Sequence, residues 1–283
     1  MITVHTIAAL KEQLAIFRST TQSIGFVPTM GYLHEGHESL LKKARNENDV
    51  VVLSIFVNPS QFGPNEDLDR YPRDLERDLA IAKKSQVDIV FAPSIEEMYP
   101  TKMKIHFLAE EQSKVLCGAS RPGHFEGVLM VVTKLFHLVS PTRAYFGMKD
   151  AQQLAIIETL VRDYNFPLEI IRGETIREED GLAKSSRNVF LCEKEREEAP
   201  ALFQALVLAK EHFQKHRSVI DAIQKATEHV TKNTNAKIDY LQLLEYPSLA
   251  EVTEDSQEMI VAGAIYFENA RLIDNQIFNV KGE

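Results

Sequence analysis

The chain has 283 residues, 44% of them hydrophobic, and a net charge of −9, enough material for one large domain or two smaller ones with real cores. That charge, with no long basic run, excludes nucleic acid or an anionic membrane as the main partner, while a small anion still responds to local charge. Two cysteines, Cys117 and Cys192, lack metal-type spacing and predict free thiols in a reducing, cytoplasmic setting.

The amino end, MITVHTIAALKEQL, predicts an amphipathic helix capped by Thr6 and lacks the apolar core of a signal peptide. No apolar run approaches the ~20 residues of a membrane span. SIGFVPT reads as a buried strand that Pro28 should end, since proline has no N–H for the ladder. HESLLKKARNEN reads as the helix after it. DVVVLSIFVNP is a near-continuous apolar run, as in a central parallel strand covered on both faces. RDLERDLAIAKKS predicts a helix, VDIVFAP a strand, FEGVLMVVTKLFHLV a strongly apolar helix, TRAYFG a strand, DAQQLAIIETLVRDYN a helix and PLEIIRGETI a strand. This alternation predicts a doubly wound, Rossmann-like parallel α/β sheet whose ligands sit beyond the carboxyl ends of its strands. From about residue 177 the texture changes. One helix is expected over EKEREEAPALFQALVLAKEHFQKH and another over SVIDAIQKATEHVTKN, followed by three short strands. The expected domains are therefore 1–176, the nucleotide- and substrate-binding part, and 177–283, a smaller α+β lid with an antiparallel sheet and helices on one face.

Chemistry-bearing residues cluster where strands hand over to helices. In FVPTMGYLHEGHESLL, His34 and His37 sit on a turn that opens a helix. Helix N-termini present unpaired N–H groups and partial positive charge, so such a turn suits phosphate, and histidines there can donate to phosphate oxygens. His-Glu-Gly-His lacks the His-Glu-x-x-His spacing of zinc proteases. Asn58 and Gln61 follow the next strand, with side-chain amides that can fix a hydroxy acid without adding charge. Arg121 and His124 fall in a Pro-Gly turn. Gly147, Met148, Lys149 and Asp150 again join a strand to a helix, a setting for phosphate, ribose or magnesium contacts. Gln153 lies four residues after Lys149, on the same helical face. Lys184, Ser185, Ser186 and Arg187 place two cations around two hydroxyls in an expected mobile loop, a clamp suited to a triphosphate.

PTMGYLHEGH resembles the first signature of the pantoate–β-alanine ligase (pantothenate synthetase) family, a variant of the His-x-Gly-His element of nucleotidyltransferases and class I aminoacyl-tRNA synthetases. IFVNPSQFGPNEDLDRYPRDLERD, SRPGHFEGVLMVVTKLF, FGMKDAQQL and IREEDGLAKSSRNVFL are similar to its later blocks, so the resemblance runs in order from about Gly25 to Leu191. It implies ATP contacts at Met30, Gly31, Tyr32, Leu33, His34, Glu35, Gly36 and His37, at Gly147, Met148, Lys149 and Asp150, and at Ile176 and Lys184–Arg187. It implies pantoate and β-alanine contacts at Gln61 and Gln153, joined by Asn58, Tyr71, Arg121 and His124, and a magnesium contact at Asp78. His34, His37, Lys149 and Arg187 are the implied catalytic groups, and a homodimer the implied assembly. The implied reaction joins pantoate to β-alanine through a pantoyl-adenylate, releasing pyrophosphate and AMP. Met148 departs from the Gly-Glu-Lys-Asp pattern common in the family, so an acidic side-chain contact there is not expected. Two other readings fit parts of the pattern: a nucleotidyltransferase acting on a phosphorylated acceptor, which would want arginines where Asn58 and Gln61 stand, and an ATP-holding regulator without turnover.

Overall fold

A computed structural model describes residues 1–18, 22–64 and 66–280. They form two compact units. The first takes in Met1–Leu108, Pro122–Met148 and Ile156–Glu174, and the second Ala109–Arg121, Lys149–Ala155 and Thr175–Glu283. Packing thus assigns two early segments, one carrying Arg121 and the other Lys149 and Gln153, to the unit that otherwise holds the carboxyl-terminal part.

In chain order the first half runs β1 (Ile2–Val4), α1 (Ile7–Arg18), β2 (Ile24–Thr29), α2 (Glu35–Glu47), β3 (Val50–Ile55), α3 (Leu75–Lys84), β4 (Ile89–Phe91), α4 (Ile95–Met98), α5 (Leu116–Ser120), α6 (His124–Val139), β5 (Arg143–Gly147), α7 (Ala151–Asp163) and β6 (Glu169–Gly173). The second half adds α8 (Glu193–Glu198), α9 (Ala201–His216), α10 (Val219–Asn233), β7 (Lys237–Glu245), β8 (Glu258–Tyr266) and β9 (Arg271–Asn279).

Six parallel strands build the sheet of the first unit, in the order β1-β4-β3-β2-β5-β6. The β-branched run of β3 is buried on both faces, as its composition predicts. Thr6 caps α1, its hydroxyl accepting from the Ala9 N–H at 3.1 Å. The edge strand β1 goes beyond the sequence reading. It is three residues long and pairs with β4 at the sheet edge, so its signal is too short to see. β2 also runs past Pro28, which sits opposite Ser54. The Thr29 hydroxyl donates to the Ser54 carbonyl at 2.8 Å, supplying a donor next to a residue that has no N–H to offer.

The helix expected from Glu193 to His216 is two helices, because Pro200, at φ −59°, is the N-cap of α9. A proline there lacks the N–H that a continuous helix needs. The sheet β7-β8-β9 is antiparallel and divides its side chains between two cores. Leu241, Leu243, Met259, Val261, Leu272 and Phe278 face α9 and α10. Leu244, Ile260, Ala262 and Ile277 face Leu116, Ala151 and Ala155 from the two early segments. The small sheet is therefore covered on both faces, not on one. Among the described residues no helix is long and apolar enough to cross a membrane.

Candidate active site

Strand order places a topological switch point at neighbouring strands β2 and β5: β2 leads to β3 on one side, β5 to β6 on the other. In open parallel sheets that is where ligands bind. β2 delivers the chain to the Met30–His37 turn, and β5 to Gly147 and the 3₁₀ turn Met148–Asp150.

The first turn is built by hydrogen bonds that its sequence only partly shows. Gly31 takes φ +84°, a left-handed conformation that suits glycine. Asp78, on α3 and 1% exposed, accepts the Tyr32 N–H at 2.8 Å on Oδ2 and the Leu33 N–H at 2.7 Å on Oδ1. Burial raises the Asp78 pKa above the usual carboxylate value, outweighing the two backbone donors that lower it. Leu33 puts its side chain wholly into the core. His34 is the N-cap of α2, its Nδ1 accepting the Gly36 N–H at 3.1 Å, while His37 Nδ1 accepts the His34 N–H at 3.2 Å. This reciprocal capping box leaves the two rings 4.1 Å apart between centroids. A neutral imidazole whose Nδ1 accepts must carry its proton on Nε2, so both histidines have Nε2–H as a donor.

The second block organises around Asn58, 1% exposed. Its Nδ2 donates to Gln61 Oε1 at 3.0 Å and to the Gly127 carbonyl at 3.1 Å, and its Oδ1 accepts from Ser60 Oγ at 2.7 Å and Tyr99 Oη at 2.8 Å. Both donors and the acceptor are thereby engaged by the protein, and Asn58 holds Gln61. Gln61 also donates from Nε2 to Met30 Sδ at 3.3 Å. The His124 Nδ1 lies 2.8 Å from the Gln61 carbonyl, which can only accept, so Nδ1 is the protonated nitrogen and a neutral His124 has its lone pair on Nε2. His124 is thus of opposite polarity to His34 and His37. Gly127 lets α6 press on this turn: a Cβ there would lie 2.2 Å from the Ser60 carbonyl oxygen. Tyr71 is buried with its ring edge-on to Phe62. Asn65, inside this block, lies outside the described residues.

In the second unit, Arg121 ends α5 and Lys149 pairs with Asp150 at 3.7 Å. Gln152, not singled out by the sequence, is buried. Its Oε1 accepts the Cys117 N–H at 2.9 Å, and its Nε2 donates to the Gln112 and Val115 carbonyls. It thereby ties the segment ending in Arg121 to the turn of α7 carrying Gln153. The segment expected to clamp a triphosphate forms a hydrogen-bonded turn here. Lys184 N–H donates to the Ile176 carbonyl at 2.9 Å, Arg177 and Ala183 form a bridge, and Ser185 caps the 3₁₀ helix Ser186–Phe190 by accepting the Arg187 N–H. Lys184 Nζ pairs with Glu178 at 2.8 Å. Both cysteines are free thiols, Cys117 buried and Cys192 exposed.

Asp78 gives both carboxylate oxygens to backbone N–H groups, and among the described residues no three His, Cys, Asp or Glu side chains are arranged to hold a metal. The role the geometry gives Asp78 is to hold the Tyr32–Leu33 turn with both of its oxygens.

A parallel sheet whose switch point leads into a helix capped by two Nε2-donating histidines defines a Rossmann-like, nucleotide-binding α/β protein of the His-x-Gly-His kind. The family model described as pantoate-beta-alanine ligase matches residues 2–277, and the chain belongs to that family. Over 276 residues it is 59% identical to the pantothenate synthetase of Lysinibacillus sphaericus, covering 98% of this chain and 97% of that one. Among solved structures, the pantothenate synthetase of Thermus thermophilus has a TM-score of 0.92 at 46% identity, covering 98% of this chain and 99% of the other. The pantoate-beta-alanine ligase of Francisella tularensis, complexed with beta-gamma ATP and beta-alanine, has a TM-score of 0.80 at 36% identity, covering 100% and 99%.

Proposed function

We propose that this enzyme performs its family's reaction, the ATP-dependent condensation of pantoate with β-alanine to pantothenate, by a division of labour among its own residues. Condensing a carboxylate with an amine in water is uphill, since the carboxylate is a poor electrophile and such amines, with pKa near ~10, are mostly protonated. Adenylation solves the first problem. The pantoate carboxylate oxygen attacks the α-phosphorus, pyrophosphate leaves, and the acyl carbon gains AMP as a leaving group. The neutral amine of β-alanine then attacks that carbon, expelling AMP and giving up a proton.

His34 and His37 donate from Nε2–H to phosphate oxygens as charge builds at the α-phosphorus. Lys149, Lys184 and Arg187 offset the triphosphate charge, Lys184 exchanging Glu178 for phosphate. Ile176 lies at the adenine. Gln61 and Gln153 orient pantoate, a contribution of position. Arg121 meets a substrate carboxylate, and His124, with its Nε2 lone pair, accepts a hydrogen bond from a substrate hydroxyl or amine. Asp150 would be the neighbouring carboxylate for a magnesium ion carried in with the triphosphate, whose chemistry there would be charge neutralisation. A homodimer working in the cytoplasm completes the proposal.

The capping box carries the reading, because it fixes both Nε2–H donors at a helix N-terminus beside the switch point. The test is pantoate-dependent exchange of labelled pyrophosphate into ATP, without β-alanine. Exchange that requires pantoate and is lost in a folded His37→Ala variant supports the scheme. Silence there, together with no AMP release when β-alanine is added, overturns it.

A further inference from the structure

Two adjacent residues of β9, Asp274 and Asn275, are polar and only 5% and 6% exposed, in a strand whose Leu272, Ile277 and Phe278 pack into the cores of the second unit. Consecutive strand residues face opposite ways. Asp274, on the helix-facing side, holds Arg177 through two bonds, Nη1 to Oδ2 at 2.6 Å and Nη2 to Oδ1 at 2.9 Å. Arg177 in turn donates to the Gly181 carbonyl at 3.0 Å, and its guanidinium lies 3.8 Å from the Phe203 ring centroid. Its backbone bridges to Ala183, next to Lys184. Asp274 therefore anchors the stem of the loop bearing Lys184–Arg187. Asn275 faces the other way and donates from Nδ2 to the Lys149 carbonyl at 2.9 Å. Its backbone N–H donates to Asp274 Oδ1 at 2.8 Å, so one carboxylate joins the two anchors.

We infer that Asp274 and Asn275 are positioning residues for the triphosphate clamp, setting Lys149 from one face of β9 and the Lys184–Arg187 loop from the other. The inference rests on the roles proposed above for Lys149 and that loop. Lys149 and Lys184 end in flexible stems, so the reach of each Nζ is set by where its backbone is held. A misplacement of about 1 Å at such a group costs on the order of 10²-fold in rate. Polar residues in a core cost stability unless fully bonded, and here their bonds end on the two segments that carry the cations.

The test is a cycle of variants assayed for ATP-dependent product formation, with thermal unfolding as the control. Asn275→Leu keeps the size and removes the donor, and Asp274→Asn keeps the shape and removes the charge that grips Arg177. Each should raise KM for ATP tenfold or more and leave KM for pantoate within twofold. Asn275→Leu combined with Lys149→Ala should be no worse than Lys149→Ala alone, since Asn275 acts through Lys149. If Asn275→Leu does not fold, the smaller Asn275→Ser carries the same expectations. Equal loss in kcat and both KM values, tracking the folded fraction, overturns the inference, as does an effect that adds fully to Lys149→Ala. If Lys149→Ala raises KM for ATP and Asn275→Leu does not, positioning alone fails. If Lys149→Ala leaves KM for ATP unchanged, the reading of Lys149 falls and the inference with it.

Discussion

Replacing Asp78 with alanine tests whether the first turn is held by a buried carboxylate. The variant leaves the Tyr32 and Leu33 N–H groups without their acceptor. An orphaned buried donor costs about 1–3 kcal/mol, so two cost about 2–6 kcal/mol. Removing the carboxylate also removes its own burial cost, the cause of its raised pKa, and the Tyr32 bond is only partly buried, so the expected net loss lies in the lower half of that range, about 2–4 kcal/mol. At roughly 2–4 °C per kcal/mol for a unit of this size, the midpoint of the first unit should fall by about 4–16 °C. Calorimetry without nucleotide or magnesium reads this directly, and a magnesium titration of product formation reads the competing role. An unchanged midpoint with a tenfold higher magnesium requirement would refute the account and return Asp78 to the metal. The pH dependence has a defined sign. A carboxyl with a raised folded pKa binds more protons folded than unfolded, so its contribution is fully present below the ordinary value of 3.8 and is lost as pH rises through the folded pKa. The stability margin of wild type over Asp78→Asn should shrink across that interval, and a margin that grows would contradict the burial argument.

His34→Asn keeps a good N-cap residue and loses the imidazole, so the unfolding midpoint should hold while pyrophosphate exchange drops by about 10²–10³-fold. Parallel loss of both would assign His34 to capping alone. Gly127→Ala drives a methyl group to 2.2 Å from the Ser60 carbonyl. It should cost about 1–3 kcal/mol in denaturant unfolding and raise KM for pantoate, since Gln61 moves with that turn. Asn58→Ala frees Gln61 from its clamp, and KM for pantoate should rise at least about tenfold with KM for ATP unchanged. Equal changes in both KM values would show that Asn58 supports the fold without orienting Gln61.

What the sequence made legible were the features set by local chemistry. The apolar run of β3, the helix after the paired histidines and the alternation of the first half all follow from residues near one another. Asn58 shows the boundary of that reasoning. Its amide declares two donors and an acceptor, but which groups take them depends on Gly127 and Tyr99, brought in by other parts of the chain. Asp78 is similar: an acidic residue in a helix reads as solvated or as a metal ligand until α3 is packed against the Tyr32–Leu33 turn. Tyr71 escapes such reasoning because an aromatic in a polar block carries no local sign of burial. The break at Pro200 is written in the chain, and proline chemistry accounts for it. Gln152 has one local cue, its place beside Gln153, but its bonds to Gln112, Val115 and Cys117 are non-local.

The discontinuous second unit has a consequence for biosynthesis. Leu116, Ala151 and Ala155 leave the ribosome long before Leu244, Ile260 and Ala262, the side chains that cover them. Until β7 and β8 are made, these early segments must wait with apolar surface in water, in the interval when holdase chaperones bind nascent chains. A carboxyl-terminal fragment beginning at residue 177 inherits the converse defect, since its sheet has lost the cover of one face. Premature termination or proteolytic clipping anywhere between the early segments and β8 should therefore yield aggregation-prone debris in place of a separable domain.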